Sequence, residues 1–158
     1  DPRSRVVRLS DGFYDSTSIA ALGVAAHEVG HAVQHDTGYM PLYIRNTIIP
    51  ITQIGSYVSI PLLILGILVS SPRLVELGIL LFAGIVFFQL ITLPVEFNAS
   101  RRAVAVLGDE SILTADELAG TKKVLSAAAL TYVAAAITAV FQLLRLLIIS
   151  GVLGGRDD

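Results

Sequence analysis

The sequence predicts a mainly α, polytopic membrane protein with three transmembrane helices and a small polar unit at the membrane boundary. Two observations predict it. Of 158 residues, 54% are hydrophobic and only 15% are charged, where about 25% is usual in soluble domains; the mean hydropathy is +0.73. The charges are also unevenly placed, leaving three long stretches nearly free of them. A helix needs only about 20 residues to cross the roughly 30 Å hydrocarbon core. The length suits one domain with a sizeable core. With 11 basic and 13 acidic residues there is no basic surplus for a nucleic-acid backbone. The absence of Cys removes disulfide frameworks, thiolate metal sites and cysteine nucleophiles.

Taken in order, residues 1–158 read as a single membrane-embedded domain. Residues 1–45 hold a short strand and a polar-motif helix. Arg5 to Ser10 (RVVRLS) mixes β-branched and polar residues and reads as a brief edge strand. Asp15-Ser16-Thr17-Ser18 supplies capping oxygens before an apolar periodic stretch, Ile19 to Val33, and Gly38 lies where that helix can stop. Residues 46–72, between Arg45 and Arg73, carry no charge. Pro50 and Pro61 there are tolerable as kinks, because membrane neighbours re-satisfy the freed carbonyls. Residues 74–95 form a second span with one charge, Glu76, and residues 124–150 a third with Arg145 near its end. The segment 96–123 connects them; Thr114 and Glu117 have capping-box spacing, so a helix is expected to begin near Ala115 and run into the membrane. The alternative, core helices of a larger soluble protein, leaves too little polar surface to cover three such runs. The chain begins at Asp1 rather than Met, and a segment upstream of it is expected.

The residues that carry chemistry are His27-Glu28-Val29-Gly30-His31. On a helix, four residues bring side chains back to nearly one face, so His27 and His31 can share one tetrahedral zinc, Zn²⁺, with Zn–N of about 2.0–2.1 Å. Glu28 then sits beside the metal, placed to act as general base on a metal-activated water. The bland alternative is a helix with two ordinary histidines and a solvated glutamate. It is disfavoured because an unpaired, desolvated His-Glu-His cluster is costly.

A catalytic zinc site wants a third protein ligand and an open fourth position. His35 lies about 12 Å from His27 along a straight helix, too far for one ion. The extended metzincin pattern fails, since Gln34 and Thr37 stand where Gly and His are expected. No Leu-Asp-Gly element of the site-2 protease kind occurs. Topology selects a downstream carboxylate. Two crossings return the chain to the face it left, so Glu96, just after Leu93-Pro94, reaches the side of the histidines. Asp109, Glu110, Asp116 and Glu117 share that side but lie in a polar stretch that suits solvated or capping roles. Glu76 falls on the far side. Against the ligand reading, Glu96 could be a first-turn glutamate favoured by a helix dipole.

AAHEVGHAVQH, together with LPVEFNASRRA and AALTYVAAA, resembles the neutral zinc metallopeptidase family of bacterial membrane proteins, over nearly the whole chain from Asp1 to about Ser150. The resemblance implies a membrane-embedded gluzincin with a zincin-like catalytic unit, His27, His31 and Glu96 as ligands and Glu28 as base. It also implies a further N-terminal span before Asp1. More distantly, Glu96-Phe-Asn-Ala-Ser100 is similar to the Glu-x-x-x-Asp element of heat-shock and CAAX-type membrane zincins, with Ser100 in place of the aspartate. A carboxylate normally orients a ligand histidine; Asn98 or Ser100 is the substitute here.

Among other residues, Arg101 and Arg102 read as a solvated or headgroup-binding pair rather than a substrate clamp. Tyr132 reads as an interfacial anchor rather than an oxyanion donor. Glu76 and Arg145 read as an ion pair or two snorkelling chains. The strand at 5–10 could pair with an extended substrate. Arg3, Arg5, Arg8, Arg45, Arg101, Arg102, Lys122 and Lys123 fall on the histidine side, which the positive-inside rule makes cytoplasmic in a bacterial cell membrane. The expected activity is zinc-dependent endopeptidase action, with protein or peptide substrates that include membrane proteins, and with the bilayer but no nucleic acid as partner. Two rival readings stand beside it. One is a non-catalytic membrane scaffold with a structural or vestigial zinc. The other, a metal transporter, wants mid-span carboxylates or histidines, and the spans offer Gln89 and Gln142 instead.

Overall fold

Helix is the only regular structure among the described residues of the computed structural model, 4 and 6–151. Its elements are α1 (Asp11–Tyr14), α2 (Ile19–Asp36), α3 (Met40–Leu68), α4 (Pro72–Asp109) and α5 (Ala115–Ile149). The chain is thus mainly α, and α3, α4 and α5 are long and apolar enough to cross a membrane.

Local signals explain most boundaries. Ser18 caps α2, its hydroxyl accepting from the Ala21 amide at 3.1 Å. The ends of α2, α3 and α4 share one device. Gly38, Ser70 and Ser111 adopt positive φ, and the next amides, of Tyr39, Ser71 and Ile112, reach back to the carbonyls of Gln34, Gly66 and Leu107. This closes otherwise orphaned helix-end carbonyls. The glycine at 38 is the residue expected there; the serines adopt left-handed φ without that freedom. Pro72 opens α4 at the position where a missing N–H costs nothing. Thr114 and Glu117 form the anticipated capping box: the Glu117 carboxylate accepts from the Thr114 amide at 2.9 Å, and Thr114 Oγ1 accepts from the Glu117 amide at 3.4 Å.

Two expectations are corrected. The strand at 5–10 does not form: residues 6–10 are irregular, and Arg5 lies outside the described residues. A strand is stabilised by ladder hydrogen bonds, and the described residues include no second strand to supply them. The second span does not give way to a separate charged segment at Glu96. α4 continues through Pro94 to Asp109 as one helix of 38 residues. The change in polarity near residue 96 marks a change of environment rather than of backbone.

The chain divides into two compact units, and α3, α4 and α5 each contribute to both. One unit comprises 1–43 and 92–132. Its core is built from residues at helical spacing: Gly23, Gly30 and Gln34 on α2, Val95, Ala99, Ala103 and Leu107 on α4, and Thr121, Leu125 and Ala129 on α5. Gly23 lies against the methyl of Thr121, and Gly30 against the backbone of Ala99. The other unit comprises 44–91 and 133–158. There Gly78 lies against the Ser59 carbonyl and Leu63, while Ile51, Ile54, Ile64, Leu68, Leu80, Phe87, Phe141 and Ile148 point outward. An apolar surface of that extent is disfavoured in water and costs nothing in lipid.

Candidate metal centre

α2 places His27, His31 and Gln34 along one face, one turn apart, and α4 presents Glu96, Asn98 and Ser100 toward them. Nε2 of His27 lies 3.1 Å from Oε2 of Glu96, and Nε2 of His31 lies 3.5 Å from the same oxygen. Donor atoms of the three residues all fall within 4.8 Å of one another, so the group could hold a metal ion. Around a tetrahedral zinc with Zn–N near 2.05 Å, donor atoms stand about 3.3 Å apart. The two His–Glu separations bracket that value. The imidazole rings meet edge to face, with centroids 4.7 Å apart.

Close helix packing makes this possible. A Cβ added at Gly30 would stand 2.5 Å from the Ala99 carbonyl oxygen, nearer than atoms can approach. Only glycine lets α2 lie this close to α4, and the histidines on the adjoining turns thereby reach Glu96. Glu96 is 3% exposed, mid-helix in α4. It is therefore not a first-turn residue stabilised by a helix dipole. Asp109, Glu110, Asp116 and Glu117 are all exposed, as the sequence suggested.

The outward nitrogens of the histidines are held as well. His27 Nδ1 lies 3.0 Å from Ser100 Oγ, so Ser100 takes the place where an aspartate was anticipated. His31 Nδ1 lies 2.9 Å from Oε1 of Gln34. Gln34 is fully buried; its amide donates to the Val95 carbonyl at 2.8 Å and to Asn98 Oδ1 at 3.0 Å. Arg102 Nε donates to the same Asn98 oxygen at 2.8 Å. In the sequence, Gln34 stands out only as a mismatch to the metzincin pattern. Its spacing of three from His31 and seven from His27 was the signal, since both offsets return to one helix face. Arg102 is accordingly part of this network, whereas Arg101 is exposed.

Burial alone would lower the pKa of His31. Hydrogen bonds with Glu96 and Gln34, and the charges of Glu96 and Glu28, outweigh it and raise the group above the ordinary histidine value. Glu28 itself is exposed on α2. It is near enough to His31 for its charge to be felt, and it stands apart from the three converging donors. His35 faces elsewhere, its ring centroid 5.7 Å from that of Tyr43. Glu76 and Arg145 are both exposed.

A helix-borne pair of histidines and a buried glutamate from a second helix thus form a group that could hold a metal ion. Residues 1–151 match the family described as "Putative neutral zinc metallopeptidase", and the chain belongs to it. Over 159 aligned positions it is 54% identical to the "Putative membrane protease YugP" of Bacillus subtilis (strain 168), covering all of this chain and 69% of that protein. No solved structure matches.

Proposed function

We propose that this chain is a zinc-dependent membrane endopeptidase. The observation that carries the reading is the convergence of His27, His31 and Glu96, whose ligand atoms all lie within 4.8 Å of one another, with Glu96 Oε2 beside both Nε2 atoms. Two imidazoles with one carboxylate are the donor set zinc favours. His27 and His31 would hold the ion through Nε2 and Glu96 through a carboxylate oxygen, the arrangement of a gluzincin. The chemistry zinc supplies when bound is Lewis acidity, which brings a coordinated water to a pKa of about 7 and polarises a carbonyl.

Glu28 takes a proton from the attacking water as the oxygen bonds to the peptide carbonyl carbon. It returns that proton to the nitrogen as the C–N bond breaks, so a single carboxylate serves as base and then as acid. Its exposed position suits this, since the proton must pass between water, enzyme and departing amine. Glu96, buried and bonded to the histidines, has no freedom for such a role.

We assign the site to the cytoplasmic face, a reading supported by the positive-inside rule, since most basic residues fall on the histidine side of the spans. Membrane proteins and their unfolded juxtamembrane segments are the substrates such a location would meet. The test is Glu28→Gln in detergent-purified protein with a fluorogenic peptide. Zinc content should stay at one per chain while cleavage falls at least a hundredfold. Unchanged cleavage would overturn the mechanism.

A further inference from the structure

His31 has one proton and two acceptors within reach of its ring when neutral: Gln34 Oε1 at 2.9 Å from Nδ1 and Glu96 Oε2 at 3.5 Å from Nε2. Which nitrogen keeps the proton decides which nitrogen has a lone pair for a metal. The orientation of Gln34 answers this. A glutamine amide presents an oxygen at one edge and two N–H groups at the other. The Val95 carbonyl, 2.8 Å from Gln34 Nε2, can only accept. Turning the amide over would set two oxygens against each other in a fully buried place, at the cost of an unsatisfied buried pair.

Asn98 holds the second N–H of Gln34 through Oδ1, and its own orientation is not free. The Arg102 Nε–H, which can only donate, points to the same oxygen at 2.8 Å. Flipping Asn98 would face its NH₂ with donors from both Arg102 and Gln34. The bonds therefore run in one direction, from an obligate donor, Arg102, through Asn98, to an amide whose oxygen can only face His31. Every orientation along the way follows from the group beside it.

We infer that Gln34, held by the Val95 carbonyl and by Asn98 under Arg102, is a positioning residue that fixes His31 as the Nδ1–H tautomer and so reserves its Nε2 lone pair for the metal. This deepens the zinc reading and rests on it for its purpose, although the tautomer is a property of the chain itself. It also explains how the site manages without a carboxylate behind His31. A carboxylate would accept equally through either oxygen and would add a second negative charge beside Glu96. An amide locked from behind supplies the same acceptor with no charge.

The experiment is ¹⁵N spectroscopy of histidine-labelled full chain in detergent. Spectra are recorded metal-free above the imidazole titration range and again zinc-loaded, with competitive zinc titration of each variant. His31 is assigned by its loss in His31→Asn. Wild-type His31 should show the Nδ1–H pattern in the metal-free state and keep it when zinc binds. Gln34→Leu should transfer the proton to Nε2, where Glu96 is the remaining acceptor, and weaken zinc about 10–100-fold. A wild-type ring protonated at Nε2, or Gln34→Leu with wild-type tautomer and zinc affinity, would overturn the inference. If Gln34→Leu does not fold, the wild-type spectrum decides. If wild type binds no zinc, the metal reading fails while the metal-free spectrum still answers for Gln34.

Discussion

Glu96 Oε2 lies 3.1 Å from His27 Nε2 although 69 positions separate the two residues, and the same oxygen faces His31. A single buried carboxylate thus joins both histidines of α2 to α4. Replacing it with Gln keeps shape and volume but removes the charge and weakens the donor. Glu96→Gln should bind zinc more weakly than any variant of the residues behind the histidines, by more than the ~10–100-fold those cost. Zinc per chain and chelator competition check this.

Zinc should also act as a staple between α2 and α4. At a free concentration a hundred times its dissociation constant, a ligand that binds only the folded state adds about 2.7 kcal/mol. Adding zinc to stripped wild-type protein should raise its thermal midpoint, and chelator should reverse the gain. Glu96→Gln should show neither response under the same titration.

Gly30→Ala puts a methyl into the Ala99 carbonyl. Overpacking of this kind costs about 1–3 kcal/mol, offset in part by alanine's helix preference of about 1 kcal/mol. The more telling readout is the site. Pushing α2 away from α4 lengthens both His–Glu separations, so zinc affinity should fall even where the thermal midpoint barely moves. Equal zinc affinity in Gly30→Ala and wild type would show that the close approach is not what positions the histidines.

Ser100→Ala removes the hydroxyl 3.0 Å from His27 Nδ1. Zinc should weaken about 10–100-fold, and Ser100→Thr, which keeps the hydroxyl, should bind close to wild type. Chelator competition on the three proteins distinguishes orientation of His27 from a general effect on packing.

Ser18→Ala removes the hydroxyl that accepts from the Ala21 amide and should destabilise the start of α2 by about 1 kcal/mol. The cap lies two turns before His27, so zinc stoichiometry should remain at one per chain. Denaturant unfolding followed by circular dichroism measures the first quantity, and metal analysis the second.

Much of this architecture is legible along the chain because its causes are local. Ser18 and Gly38 bracket α2, Thr114 and Glu117 begin α5, and three charge-poor stretches reveal helices suited to lipid. Elsewhere local signals misled. Arg5–Ser10 has the composition of a strand, but a strand exists only with a partner. The polarity change at Glu96 suggested a new segment, whereas α4 runs on through Pro94. Ser70 and Ser111 end helices in a conformation for which glycine would have been the expected residue. The spacing of His27 and His31 is legible because one helix sets it by itself, and the structure brings Glu96 to them in a group that could hold a metal ion.

What the sequence by itself determined, then, is whatever helical periodicity, capping chemistry and hydropathy dictate: the kind of protein, the helices and the two histidines on one face. Only the tertiary structure decided how close α2 comes to α4 at Gly30, that Ser100 and Gln34 stand behind the histidines, and that Arg102 is tied to His31 through Asn98. Those relationships join residues on different helices, and they depend on distances of a few tenths of an ångström and on which way each donor points. Spacing along one chain carries no such information; packing of two helices does.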